Sequence, residues 1–263
     1  MRRGLSLPIF DDLADPAVLA ALARRAEDRG WDGVFLWDHV IYRPPVQAAT
    51  DPWIALAAIA VATERITIGP MVTPLARRRP WIVARQAVAL DHLSGGRFVL
   101  GLGLGLDSSG GELSRFGEET DDRRRAAMLD EGLAVLTGLL SGEPVHHHGA
   151  AYRVDGVRFL PRPVRPGGMP IWLGARWPNR RPVARALRHD GVFVIDTDDP
   201  ADLAGIVEEA RASGRSFDVV VQGPPGEPVD GWRDAGATWW LARIEPFDVT
   251  VAGVEAVIDA GPP

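Results

Sequence analysis

The chain has 263 residues, a net charge of −6 and a hydrophobic content of 46%, which suits an α/β barrel of about 250 residues better than one ordinary small domain. No apolar run approaches the ~18 residues of a membrane span, and no signal-peptide pattern opens the chain. The acidic balance argues against nucleic acid or an anionic membrane as partner, so a cytoplasmic protein acting on a small molecule is expected.

Two absences narrow the chemistry. There is no cysteine, which removes disulfides, thiol nucleophiles and thiolate metal sites. All 29 basic residues are arginine. Without lysine there is no Schiff base and no Walker lysine, and arginine alone must bind any phosphate or carboxylate.

In chain order, Gly4 to Ile9 reads as strand one, followed by Asp15-Pro16, an N-cap with a first-turn proline. Val18, Leu19, Leu22, Ala23 and Ala26 recur at helical spacing up to Gly30. Gly33 to Trp37 is strand two, Asp51-Pro52 opens the second helix, and Ile66 to Gly69 is strand three. Arg79-Pro80 starts a helix through Leu93, and Arg97 to Leu102 is strand four, ending in Gly103-Leu104-Gly105. Residues 106–120 read as a lid loop before a helix from Asp122 to Leu140, and 142–170 as an insertion with a hairpin around Tyr152-Arg153-Val154. Strands five to eight are Pro170 to Gly174, Gly191 to Ile195, Phe217 to Val221 and Ala237 to Leu241, with helices between and Thr250 to Ala260 last.

Eight apolar strands with helical crossovers and no composition break predict one (β/α)8 TIM-barrel domain over 1–263. Active sites of such barrels lie at the C-terminal strand ends. Those ends carry Asp38 and His39, Thr73, Gly103 to Leu106, Arg176 and Trp177, Asp196 and Thr197, Gln222 and Arg243.

An Asp38-His39 pair at a barrel mouth can serve as an acid/base unit, since imidazole carries a proton near neutral pH. The glycines from Gly101 to Gly105 fail the dinucleotide spacing, because Leu106 and Ser108 stand where glycine is required. They still let a flat ligand approach backbone. Arg176-Trp177 before a helix suits a phosphate or stands as an exposed basic loop. His146-His147-His148 lacks a metal-ligand pattern, and no metal is expected. Trp31, Trp53 and Trp81 are expected to pack helices on the barrel, and Trp37, Trp177 and Trp239 to fall nearer its mouth.

Several stretches together resemble the bacterial luciferase-like oxidoreductases. They are Asp28-Arg29-Gly30-Trp31-Asp32-Gly33-Val34 with Trp37-Asp38-His39, and Ile68-Gly69 through Thr73-Pro74 with Arg79-Pro80, Ala84 and Gln86. Leu90-Asp91-His92-Leu93-Ser94-Gly95-Gly96-Arg97 into Gly101-Leu102-Gly103 is the most specific, and Pro170 to Ala175 with Asp190-Gly191 completes it. The match covers roughly residues 4 to 195.

The resemblance implies a reduced flavin-type coenzyme, F420 favoured and FMN second, used for hydride transfer or monooxygenation. It places Asp38 and His39 at the reactive edge of the ring. It puts a non-proline cis bond at Pro70-Met71 behind the ring, and brings Thr73, Gly103, Leu104 and Gly105 to the ring or its tail. Arg176 and Trp177 would hold the phosphate region, with Gly174 and Ala175 also among the coenzyme-binding residues. Leu106 replaces the catalytic glutamate of the family's sugar-phosphate dehydrogenases, which also use lysines, so that substrate class is disfavoured. A shortened relative that binds coenzyme without turnover is the alternative, and pairing into a homodimer is left open.

Overall fold

The computed structural model describes residues 1–263. In chain order the elements are β1 (Arg2–Leu7), α1 (Pro16–Asp28), β2 (Gly33–Leu36), α2 (Pro52–Ala62), β3 (Thr67–Pro70), β4 (Thr73–Pro74) and α3 (Pro80–Leu93). Then come β5 (Leu100–Gly103), α4 (Asp122–Ser141), β6 (Val145–His148), β7 (Arg153–Val157), β8 (Ile171–Arg176) and α5 (Arg180–Ala186). The chain ends with β9 (Gly191–Ile195), α6 (Ala204–Ala212), β10 (Asp218–Gly223), α7 (Asp230–Asp234), β11 (Trp239–Arg243) and α8 (Val251–Ala260).

The main sheet runs β3-β2-β1-β11-β10-β9-β8-β5-β4, with every pair parallel. β3 and β4 are the two halves of the third barrel strand, so its nine strands make eight staves. The ring closes through a bridge between Ile68 and Phe98, with Val99 N–H donating to the Ile68 carbonyl at 2.9 Å. β6 and β7 form the separate hairpin anticipated around Tyr152.

The helix starts follow local chemistry. Asp15 accepts from the backbone N–H of Ala17, and Asp51 from those of Trp53 and Ile54, each with proline next in sequence. Asp199-Pro200 opens a short 3-10 turn before α6. Helix α7 has one turn, too short to leave a periodic signal in sequence.

Three expectations shift. The non-proline cis bond is Met71–Val72, one residue beyond Pro70-Met71. Pro70 still pairs with Leu36, and Met71 N–H still donates to the Leu36 carbonyl at 2.7 Å, so the ladder breaks only after Met71. Strand four starts at Leu100 rather than Arg97. Arg97 instead turns its guanidinium onto the carbonyls of Ala60, Thr63, Ile66 and Ser94, fastening the turn below the strand. Finally, Trp239 opens β11 and lies fully buried in the barrel lumen with Phe35, Trp172 and Phe193. With Arg2 stacked at 4.3 Å on its ring, it belongs to the floor and not the mouth.

Candidate functional site

The C-terminal strand ends surround a cavity of about 550 Å3, within the size range of small-molecule sites. A second cavity of about 530 Å3 lies against α4 and the hairpin, and only the segments after β4 and β5 reach it from the strands. Convergence of seven of the eight strand exits marks the first as the candidate site.

One wall is apolar and built from backbone. The bulge between β3 and β4 carries Met71 and Val72 into the cavity, with Val72 packed on Gly103 and Gly174. A Cβ on Gly101 would overlap the Pro70 carbonyl, and one on Gly103 would overlap a Val72 methyl. At Gly174 a Cβ would stand 3.3 Å from the same valine. The glycines at the end of β5 thus serve first to seat the bulge, and the ligand-facing surface is the flat product of that packing. Leu104, Gly105, Phe193 and Ile195 extend it. Arg125 of α4, bonded to Asp122, reaches the Gly105 carbonyl at 3.4 Å and ties the wall to the next helix.

The facing wall is aromatic. Tyr42 packs on Phe10 at 4.8 Å, on His39 at 5.1 Å and on Phe247 at 6.0 Å between ring centres. Burial pushes the Tyr42 phenol above its ordinary pKa, so it is neutral at physiological pH and able to donate. Trp37 lies beside His39 and donates its indole N–H to Ser6 at 2.9 Å.

Between the walls sits a buried polar network. One Asp38 oxygen receives the Thr73 hydroxyl at 2.6 Å and the Trp53 indole N–H at 3.2 Å. Its other oxygen receives Arg77 at 2.5 Å and Arg78 at 3.2 Å. Arg77 also donates to Glu112 at 2.6 Å, and Glu112 lies 3.2 Å from His39 Nδ1 and accepts from Val40 N–H at 3.1 Å. Asp38, Arg77 and Glu112 are each almost wholly removed from solvent, so their opposite charges and multiple bonds must sustain one another. His39 Nε2 has no protein partner.

Asp38, His39, Met71, Gly103, Leu104, Gly105, Gly174 and Arg176 line the cavity as expected from sequence. Pro70, Thr73, Ala175 and Trp177 do not. Thr73 is fully buried, its hydroxyl spent on Asp38 and Trp53. Ala175 alternates with Gly174 along β8 and faces the helices. Pro70 is occupied in the ladder with Leu36, and Trp177 packs partly buried against the core with Arg180 stacked on it at 5.8 Å. Arg176 is half-exposed and paired with Asp196. Of the strand-exit residues, Asp196, Gln222 and Arg243 also line the cavity, and Arg243 pairs with Glu245 at 2.7 Å.

Sequence reasoning missed Glu112 and Arg77. Glu112 stands in the middle of segment 106–120 and is fully buried beside Leu113. Asp107 holds that turn by accepting from the N–H groups of Leu113 and Ser114. The one signal available was Glu112 preceding an apolar residue in a polar stretch, too common to single out.

The fold is a parallel (β/α)8 barrel with a small-molecule-sized cavity at its C-terminal strand ends. The family model described as luciferase-like monooxygenase matches residues 2–225, and the chain belongs to that family. It is 34% identical over 167 residues to an F420-dependent glucose-6-phosphate dehydrogenase of Nakamurella multipartita, covering 62% of this chain and 48% of that protein. A 5,10-methylenetetrahydromethanopterin reductase of Methanolobus tindarius is 29% identical over 203 residues, covering 77% and 57%. The chain thus spans about half the length of the curated relatives it matches. In fold it is similar to the F420-dependent tetrahydromethanopterin reductase of Methanopyrus kandleri, with a TM-score of 0.78 over 98% of this chain and 97% of that one at 19% identity.

Proposed function

We propose that the protein is an oxidoreductase using a reduced flavin-type coenzyme, F420 in preference to FMN, on a small organic substrate. The observation that carries this reading is one cavity lined both by the flat wall of Val72, Gly103 and Gly174 and by a histidine whose Nε2 is unpartnered. When bound, the coenzyme supplies the hydride or the reduced ring that activates oxygen. F420 is preferred because it stands in the names of two of these relatives, and because aspartate rather than glutamate precedes His39.

The wall fits a planar ring, since Met71, Val72, Gly103, Leu104, Gly105 and Gly174 offer backbone and small side chains with no protruding polar group. Arg176 would hold an anionic tail by exchanging Asp196 for it. His39 would take or give a proton at Nε2, while Asp38, with both oxygens occupied, anchors Thr73, Trp53, Arg77 and Arg78 around it. Trp37, Tyr42 and Phe247 would exclude water from the reacting face. Leu106, apolar and at the cavity edge, supports a substrate other than a sugar phosphate.

The test is separate titration with F420 and FMN, followed by quenching of tryptophan fluorescence. F420 is expected to bind at micromolar concentration and more tightly than FMN, and failure of both to bind rejects the proposal. Binding without oxidation of reduced coenzyme by any candidate substrate would instead support the non-catalytic alternative. The same reading treats 1–263 as one domain with a lid at 106–120, working in the cytoplasm. No helix is long and apolar enough to cross a membrane. Ile54 and Val61, seven residues apart on α2 and both exposed, support a homodimer, which light scattering would detect.

A further inference from the structure

The Glu112 carboxylate has no place in the reading of the strand ends, because it comes from the segment beyond β5. Its two oxygens are used differently. One accepts both Arg77 Nη1–H, at 2.6 Å, and Val40 N–H, at 3.1 Å. The other faces only His39 Nδ1, at 3.2 Å. An ionised carboxylate can only accept hydrogen bonds. The guanidinium of Arg77, itself held against Asp38, and the Val40 amide both donate to that one oxygen, which fixes the carboxylate as their acceptor. His39 must then donate from Nδ1, which leaves the lone pair of neutral imidazole on Nε2.

We propose that Glu112, oriented by Arg77, is a positioning residue that sets the tautomer of His39 and so makes Nε2 the proton-accepting atom of the site. The assignment rests on the reading of His39 as the proton-handling residue. It adds that this chemistry is assembled by three parts of the chain. β2 brings Asp38 and His39, the turn after β4 brings Arg77, and segment 106–120 brings Glu112. The acid/base unit is complete only while that segment is seated.

The arrangement makes a definite prediction for Glu112→Gln. Arg77 and Val40 both donate to one oxygen, so the amide oxygen must stay in that seat. The amide NH2 then takes the position facing His39 and donates to Nδ1, so the proton of neutral imidazole is forced onto Nε2. The geometry is kept and the tautomer reversed.

The measurement is a two-bond proton–nitrogen NMR correlation on protein labelled with nitrogen-15 in its histidines, with His39 assigned from a His39→Gln sample. At a pH where His39 is neutral, the wild-type protein is expected to show protonated Nδ1 and unprotonated Nε2. Glu112→Gln is expected to reverse that pattern and to lower kcat by about 10²-fold. The KM of the coenzyme should change by less than about twofold, because the flat wall is untouched. A wild-type protein with Nε2 protonated overturns the proposal without any variant, and so does a folded Glu112→Gln protein with unchanged tautomer and kcat. The tautomer is read without coenzyme, so it stands or falls separately from failure of F420 and FMN to bind.

Discussion

Thr73 gives its hydroxyl hydrogen to Asp38 at 2.6 Å and takes the indole hydrogen of Trp53 at 3.1 Å, closing a triangle between the end of β2, β4 and α2. A residue that the resemblance sets against the coenzyme is instead fully buried, bracketing Asp38 to α2. Thr73→Val keeps the shape and removes the bracket. It should cost about 1.5–3 kcal/mol, the range for a hydrogen bond to a charged group, seen as a lower urea midpoint with unchanged slope. A change in coenzyme affinity with no change in stability would return Thr73 to the binding surface.

Gly103 and Gly174 face the same valine at different clearances. Gly103→Ala must push Val72 out of its seat, and overpacking of that kind costs about 1–3 kcal/mol. If the displaced bulge also spoils the wall, F420 affinity should fall by an amount of that order. Gly174→Ala asks the valine to give only a few tenths of an ångström and should cost less in both stability and affinity. Equal effects at the two positions would show that the bulge is not what shapes the wall.

Glu27, buried at the end of α1, should make the protein sensitive to acid. Burial alone would raise its pKa, but the backbone N–H groups of Arg65, Ile66 and Glu64 bond to it and the net direction is down. A carboxylate depressed in the fold adds stability that is present above its unfolded value of about 4.3 and lost as pH falls through the folded value. Unfolding free energies of wild type and Glu27→Gln should therefore differ most near pH ~7 and converge toward pH ~3. A gap that persists in acid would mean the substitution acts through packing.

Arg176 is already engaged by Asp196, a residue at the end of β9 with a positive φ of 61°. Asp196→Asn preserves the turn, since asparagine tolerates that conformation, and releases the guanidinium. Affinity for a coenzyme with an anionic tail should rise a few-fold, and its salt dependence should steepen. Weaker binding would mean that the pair itself holds the arginine in place.

The barrel was legible because its signals are local and repeated. Val34-Phe35-Leu36 and Val192-Phe193-Val194 are continuous apolar runs, and Asp15-Pro16 and Asp51-Pro52 announce their helices in two residues. The strand exits named Asp38, His39, Arg176, Gln222 and Arg243 correctly as cavity residues, because topology alone decides which end of a strand carries the site. What sequence could not show is pairing at a distance. Glu112 and Arg77 are 35 residues apart, and nothing in either neighbourhood points to the other. Side-chain direction was equally hidden at Thr73 and Ala175, where one step along the strand exchanges cavity for core.

The seam between the third and fourth staves has its own consequence. Every other join in the barrel is a run of ladder bonds, but β3 meets the chain before β5 through the Ile68–Phe98 bridge alone, with β4 resuming contact at Thr73. The third stave leans on the second below the bulge and on the fourth above it. Partial opening of the cylinder should begin at this slit, where fewest bonds must break together. In hydrogen exchange, the Ile68 and Val99 amides should lose protection ahead of those in β8 and β9. A bound ring, spanning Val72 on one lip and Gly103 on the other, would work as a stitch across the slit and slow that exchange.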